Sequence, residues 1–335
     1  MDFKFVIVGT GNISNTYCQA IEKIDNVEVV GIVSRNGQKP DVLANANDVE
    51  IAPAISDIKS DYVGVILCTP NGLHHKAAIE AARLGKHVLT EKVLDISVES
   101  MDAMIQVCKE NKVKLGVAYQ RRMSPDNKVI KEMIESGKLG KIFGIDLTLK
   151  NYRDQAYYDS SEYRGTWSID GGGCFIQQGA HYIDLYTWFF GMPEYVISAL
   201  GTFTHDIEVE DHGAVILKHK DGKIGTIIAS TATKPGFDAK FEIHSDKGTL
   251  ILENDRITKW LIDDIPNPAN AQDVKIHSGA KSASVADTSG HEAIISDFVQ
   301  AVRENREPAV SGVSARKATE LILKIYNNTI EKKCF

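Results

Sequence analysis

The chain has 335 residues, 43% of them hydrophobic and 25% charged, which is the composition of a folded globular protein long enough for two domains. A formal net charge of −7 excludes the basic footprint of a nucleic-acid binder, and no apolar run approaches membrane-spanning length. The cysteines, Cys18, Cys68, Cys108, Cys174 and Cys334, are scattered without a CxxC pair; with no room for a signal peptide before the first strand, they predict reduced thiols in a cytoplasmic protein.

Phe3–Gly9 (FKFVIVG) reads as a short buried parallel strand. It runs into Gly9-Thr10-Gly11-Asn12-Ile13-Ser14, a helical pattern continues to about Asp25, and Val27–Val33 is the next strand. A glycine turn between a strand and a helix is the setting in which a GxGxxG-type motif binds a dinucleotide. Gly9 allows the tight turn, Gly11 lets backbone amides approach the pyrophosphate, and the helix N-terminus made by Asn12 and Ile13 favours its negative charge. Ser14 replaces the third glycine with another small residue. At the end of the second strand, where an NAD site usually carries an acid, the sequence is Ser34-Arg35-Asn36, with no carboxylate before Asp41. Ser34 and Arg35 suit a 2′-phosphate, so NADP is expected ahead of NAD.

The alternation continues. Tyr62–Thr69 is a strand ended by Pro70-Asn71, Leu73–Leu84 a helix stopped by Gly85, His87–Thr90 a strand, Val98 to about Asn111 a helix and Val113–Tyr119 a strand. This order predicts a doubly wound parallel sheet over residues 1–120, with ligands outside the carboxyl ends of its strands, where Pro70-Asn71, Glu91-Lys92 and Tyr119–Arg122 fall. Adjacent His74 and His75 point about 100° apart on a helix and cannot grip one metal, and Asp211-His212 and His244 lack ligand spacing, so no metal is predicted.

From Lys141 the pattern changes to strands in succession: Ile142–Lys150, Glu194–Phe203, Gly213–His219, Lys223–Ser230, Ala239–Ser245 and Thr249–Glu253, with Asp221-Gly222 as a hairpin turn. These predict an antiparallel sheet over residues 121–335, packed on one face by a Cys174–Phe190 helix. Asn267–Ser289 reads as a surface excursion, and helices at about Gly290–Asn305 and Val313–Lys332 close the chain, one of them free to pack back on the first domain.

Gly171–Asp184 (GGGCFIQQGAHYID) concentrates the remaining chemistry. Its three glycines permit close approach of a ligand or another chain segment. On one helix Gln177 and His181, four residues apart, share a face, and Asp184 is within reach to orient the His181 imidazole. His181 titrates near neutrality and is the candidate acid/base, while Gln177 can only hold a substrate by hydrogen bonds. Tyr119, Arg122 and the segment 151–167, with Tyr163, Arg164 and Trp167, supply rings for sugar CH faces and guanidinia for phosphate or carboxylate.

These segments resemble the Gfo/Idh/MocA oxidoreductase family over essentially the whole chain. The resemblance rests on the glycine turn Gly9–Ser14, the Thr-Pro-Asn-x-x-His stretch Thr69–His74, the lysine motif Gly85–Val93, the glycine-rich segment Gly171–His181 and the closing helix in His291–Pro308. It implies an α/β Rossmann domain followed by an α+β domain with a large, mainly antiparallel open sheet, which serves as the interface of a homodimer or homotetramer. It implies further that Thr69, Pro70, Asn71, His74, Glu91 and Lys92 join the cofactor set, and that Lys92 and His181 act on a carbinol of a sugar, nucleotide sugar or polyol. Two positions depart from the family: Val93 stands for its proline and Gln177 for its active-site Asp. The expected activity is NAD(P)-dependent hydride transfer in a cleft between the halves. The rival readings are a dehydrogenase of trans-dihydrodiols or other non-sugar carbonyl compounds, and a dinucleotide-sensing regulatory protein without turnover.

Overall fold

Short, mostly apolar strands build the first sheet. In the computed structural model, which describes residues 2–269 and 287–330, the elements run β1 (Phe3–Val8), α1 (Asn12–Ile21), β2 (Val27–Val33), β3 (Glu50–Ala52), β4 (Gly64–Leu67), α2 (His74–Arg83), β5 (His87–Thr90), α3 (Val98–Glu110) and β6 (Leu115–Val117). All neighbours pair in parallel, in the order β3-β2-β1-β4-β5-β6. That order reverses direction between β1 and β4, which opens a crevice at their carboxyl ends. Phe5, Val6 and Ile7 of β1 and Val65, Ile66 and Leu67 of β4 are fully buried, as strands covered on both faces require. β3, three residues long, has no counterpart among the expected strands.

The second sheet follows α4 (Pro125–Glu135), a helix opened by Ser124-Pro125 that the sequence reading leaves out. Then come β7 (Ile142–Lys150), α5 (Gln155–Asp159), α6 (Cys174–Gln177), α7 (Ala180–Phe190), β8 (Tyr195–Gly201), β9 (His212–Lys218), β10 (Ile224–Ser230), β11 (Lys240–Ser245), β12 (Gly248–Glu253) and β13 (Arg256–Ile262). The order is β13-β12-β11-β7-β10-β9-β8, antiparallel except where β7 meets β10. Alternation sets the two faces: Ile145, Leu147 and Leu149 of β7 and Phe241 and Ile243 of β11 point into the core. There they meet α6 and α7, the latter buried almost all round. A Cβ at Gly225 would lie 2.1 Å from the Tyr186 hydroxyl, so β10 has to be bare where α7 crosses it. The opposite face leaves Tyr195, Ile197, Ile216 and Ile224 exposed.

α8 (Ser289–Arg303) and α9 (Gly312–Asn327) end the described chain. Phe298 of α8 lies against β6, where a Cβ on Gly116 would come within 2.7 Å of its ring. One compact unit therefore gathers the chain up to Gln120 together with Asp287–Thr319, and the other takes the chain from Arg121 and again from Glu320. Most of the excursion expected at Asn267–Ser289, the end of the last helix and Cys334 lie outside the described residues. The other cysteines are free and buried. Among the described residues no helix is long and apolar enough to cross a membrane.

Candidate active site

In the first unit the glycine turn leaves β1 at the point where the strand order reverses. Gly9 has φ +101°, and a Cβ there would meet the Cys68 carbonyl oxygen at 2.9 Å, so the turn requires glycine. Gly11 precedes α1 without any side-chain cap, and its Cβ position faces open space. Buried Ser14 sends its hydroxyl back to the Gly11 carbonyl at 2.6 Å. The first amides of α1, in the stretch Asn12-Ile13, thus keep the anion-binding character of a helix N-terminus. At the end of β4 the Thr69 hydroxyl oxygen is buried without a hydrogen-bond partner, an orphan that a bound ribose or amide would satisfy. These features fit a dinucleotide. At the end of β2 the Ser34 hydroxyl donates to Asn36 Oδ1 at 2.8 Å, and Arg35 is exposed.

Two members of the expected set have other partners, and a third is buried. His74 is fully buried, with Nδ1 2.8 Å from the Val93 carbonyl and Nε2 2.9 Å from that of Thr69. Both ring nitrogens face backbone carbonyls and one of them donates its N–H, so His74 links the loops after β4 and β5. Glu91 is also buried: Tyr17 donates to it at 2.7 Å and His291 Nε2 stands 3.7 Å away. Its carboxylate ties α1 and α8 to the end of β5, which is the pairing of a structural acid. Tyr119, expected to face substrate, is fully buried. Lys92 follows Glu91 as a half-buried residue at the strand end, its peptide N–H donating to Glu91 Oε2 at 3.2 Å. The peptide bond between Lys92 and Val93 is cis.

In the second unit the glycine segment is a packed joint. The Gly173 N–H donates to Glu210 Oε2 at 3.0 Å, the Phe175 N–H to Glu210 Oε1 at 3.1 Å and the Cys174 N–H to the Glu210 carbonyl at 3.1 Å. A Cβ on Gly173 would lie 1.8 Å from that carbonyl, and one on Gly172 would lie 2.2 Å from the Tyr326 hydroxyl, which itself donates to Glu210. The glycines accommodate another chain segment, the second of the two alternatives they permit.

The single helix expected over Cys174–Phe190 is broken. α6 stops at Gln177 and α7 starts at Ala180, with the Gly179 N–H reaching five residues back to the Cys174 carbonyl. A Cβ at Gly179 would sit 2.6 Å from the Phe175 carbonyl, so the break needs glycine. Gln177 and His181 therefore do not lie on one continuous helix face. Gln177 donates through Nε2 to the Asp170 carbonyl at 3.2 Å, and half-buried His181 occupies the first turn of α7. Asp184 does not orient His181: it accepts from Arg122 Nε at 2.7 Å and Nη2 at 2.5 Å in a fully buried pair. Burial pushes the Asp184 carboxyl up and the guanidinium pulls it back. Arg122, expected as a substrate contact, is only 3% exposed and is committed to this pair. Trp167 lines a different cavity of about 240 Å³ with Leu200, Glu208 and Tyr326, bonded through Nε1 to the Glu208 carbonyl. Tyr163 and Arg164 stand together, Arg164 Cζ 5.9 Å from the Tyr163 ring centre and 4.3 Å from that of Tyr157. Among the described residues no group of three or more His, Cys, Asp or Glu is placed to hold a metal.

Glu210 is the site-shaping residue the sequence reading misses. Burial raises its carboxyl from 4.5 to about 7 even though the Phe175 and Gly173 amides oppose the shift. An acid more protonated folded than unfolded contributes stability that is complete below about 4.5 and is lost as pH rises through about 7. Urea unfolding across that window should show the wild type losing stability relative to Glu210→Gln, whose profile should be flatter; parallel profiles would remove Glu210 as the titrating group.

Comparison with known proteins agrees with both units. Residues 3–119 match the model of the oxidoreductase family's NAD-binding Rossmann fold, and residues 128–251 match that of the GFO/IDH/MocA C-terminal domain. The WlbA dehydrogenase of Bordetella pertussis, solved with NADH and UDP-GlcNAcA, is 29% identical and superposes with a TM-score of 0.86 over 98% of this chain and 96% of that one. Its counterpart from Chromobacterium violaceum, solved with the same ligands, is 27% identical with a TM-score of 0.85 over 98% and 93%. The inositol 2-dehydrogenase of Rhizobium meliloti is 25% identical over 76% of this chain and 77% of its own length. With a dinucleotide crevice in one unit, an open sheet in the other and both domain models matched, the chain belongs to the Gfo/Idh/MocA family of NAD(P)-dependent oxidoreductases.

Proposed function

We propose that this protein is a dehydrogenase that moves hydride between nicotinamide and a secondary carbinol of a sugar, nucleotide sugar or polyol. The observation that carries the reading is the pairing of a glycine turn that fits a dinucleotide with lysine and histidine at the two family positions, Lys92 and His181. The sugar class is supported by the relatives, which carry or act on UDP-GlcNAcA and inositol. Bound nicotinamide supplies the hydride acceptor. Gly9, Gly11 and the first amides of α1 hold the pyrophosphate, and Thr69 with the backbone of Pro70 and Asn71 lines the approach to the ring. Lys92 hydrogen-bonds the reacting oxygen and stabilises its negative charge as the C–H bond breaks. His181 accepts the hydroxyl proton, and returns it when a ketone is reduced. Gln177 cannot take that proton; it orients a substrate hydroxyl through its amide.

A panel of sugars, nucleotide sugars, inositols and aromatic diols, assayed with NAD and NADP by nicotinamide absorbance, tests the substrate class and the expected preference of Ser34 and Arg35 for NADP. The same assay separates the dihydrodiol reading, which predicts turnover of aromatic diols alone. His181→Ala should lower kcat by about 100-fold or more and remove the limb of the pH profile that reports the base. Gln177→Asp should add a titrating group without restoring that loss in the double variant. Near-normal turnover in His181→Ala would take His181 out of proton transfer.

The exposed face of the second sheet, where Ile197 of the edge strand β8 pairs with Ile216 of β9, is the surface we assign to self-association. Ile216→Glu should shift the wild-type dimer or tetramer to monomer in light scattering; a wild-type monomer would refute the assignment.

A further inference from the structure

Two guanidinia bear on one phenol in the second unit. Arg164 Cζ lies 4.3 Å and Arg153 Cζ 5.7 Å from the centre of the Tyr157 ring. Arg153 Nη1 donates to the Tyr152 carbonyl at 2.7 Å. The Arg164 Nε is buried without a hydrogen-bond partner, and among the described residues no ion pair involves Arg164. Beside them Gln178 donates through Nε2 to the Tyr157 hydroxyl at 3.2 Å, while its own Oε1 is buried and unpartnered. Nearby acids have backbone partners: Asp154 Oδ1 accepts the Tyr157 N–H at 2.9 Å, and Asp170 Oδ2 accepts the Gly165 N–H at 2.9 Å. Burial raises the Tyr157 phenol, and the two guanidinia oppose that shift.

A buried guanidinium nitrogen with no acceptor is costly, and a ligand oxygen removes the cost. The planar fork of arginine matches the paired oxygens of carboxylate and phosphate, and stacking on Tyr157 fixes its orientation. Gln178 belongs to the same break between α6 and α7 that separates Gln177 from His181, so this cluster adjoins the residues assigned to the reacting carbinol. We propose that Arg164, supported by Arg153, Tyr157 and Gln178, is an anion subsite that receives a carboxylate or phosphate of the substrate. The substrate class is then an acidic sugar or a nucleotide sugar, and neutral polyols bind more weakly. This rests on the dehydrogenase reading above, but its test is a binding measurement that does not require turnover.

The test is calorimetric titration of the dinucleotide-loaded protein with UDP-GlcNAcA, with its uncharged-sugar counterpart UDP-GlcNAc and with myo-inositol, for wild type, Arg164→Gln and Arg164→Lys. Loss of one charge-assisted hydrogen bond predicts UDP-GlcNAcA binding weakened about tenfold or more in Arg164→Gln, with Arg164→Lys between the two. Loss for UDP-GlcNAcA alone identifies the carboxylate as the anion; equal loss for both UDP-sugars identifies a phosphate. In either case myo-inositol should be unaffected. Unchanged affinity for both UDP-sugars, equal weakening of myo-inositol, or no wild-type binding of either UDP-sugar would overturn the subsite. Arg164-dependent binding without hydride transfer would instead sink the activity and leave the subsite standing.

Discussion

Replacing Lys92 with alanine should reduce turnover by about 1,000-fold while leaving dinucleotide affinity within a few-fold of wild type. The lysine stands two residues beyond β5, the strand next to β4, at whose carboxyl end the strand order reverses and a dinucleotide fits. Its peptide N–H is held by Glu91, whose carboxylate is fixed by Tyr17 on α1. The backbone at Lys92 is therefore set by the same element that follows the glycine turn, and truncating the side chain should not disturb it. The groups proposed to hold the pyrophosphate are the backbone amides of Gly9, Gly11 and the start of α1, not the Lys92 side chain. Single-turnover kinetics and fluorescence titration of the dinucleotide separate the two effects. A large loss of dinucleotide binding with little change in the hydride-transfer rate would make Lys92 a cofactor ligand only.

The second large effect falls on Gly173. Alanine there would place a methyl carbon 1.8 Å from the Glu210 carbonyl oxygen and 2.9 Å from Glu210 Oε2. Backbone cannot move aside as a flexible side chain can, so the loop must shift and break the bonds from Gly173 and Cys174 to Glu210. The expected cost is about 3 kcal/mol, or a Tm lower by roughly 10 °C, with turnover lost because Gln177 lies one turn further along α6. Gly144→Ala is the control, since its new methyl would meet only His244, at 3.4 Å. It should stay within about 0.5 kcal/mol of wild type. Equal stability of Gly173→Ala and Gly144→Ala, read by calorimetry, would mean that Glu210 does not pin the glycine segment.

Where hydrophobic pattern alone decides, sequence and structure agree closely. β2 at Val27–Val33 and β7 at Ile142–Lys150 keep their expected bounds, because a β-branched apolar run in one and alternation in the other mark them as strands. β3 escapes because three residues carry no period, and β13 because Arg256 and Lys259 interrupt its alternation. α4 had a readable start in Ser124-Pro125. The site divides in the same way. The glycine turn follows from local geometry, and so does its cofactor. Which charges are structural does not: Arg122 and Asp184 are 62 residues apart, and nothing local announces that they meet. Glu210 lies in His205–Asp211 (HDIEVED), where Asp206 and Glu208 stay in solvent while Glu210 and Asp211 turn inward. Only the fold distinguishes those acids. The break at Gly179 was visible as a glycine, yet its neighbours keep helix-compatible composition, so a continuous helix was the natural reading.

The central claim is hydride transfer from a sugar carbinol, and isotope transfer tests it most directly. Substrates from the nucleotide-sugar and inositol classes, deuterated at the carbinol carbon, are incubated with the protein and NAD or NADP, and the reduced nicotinamide is weighed by mass spectrometry. The account predicts one deuterium per reduced nicotinamide with at least one such substrate, and none in the Lys92→Ala protein over the same time. Tight dinucleotide binding with no label transferred from any member of either class would contradict it and leave the chain a dinucleotide sensor.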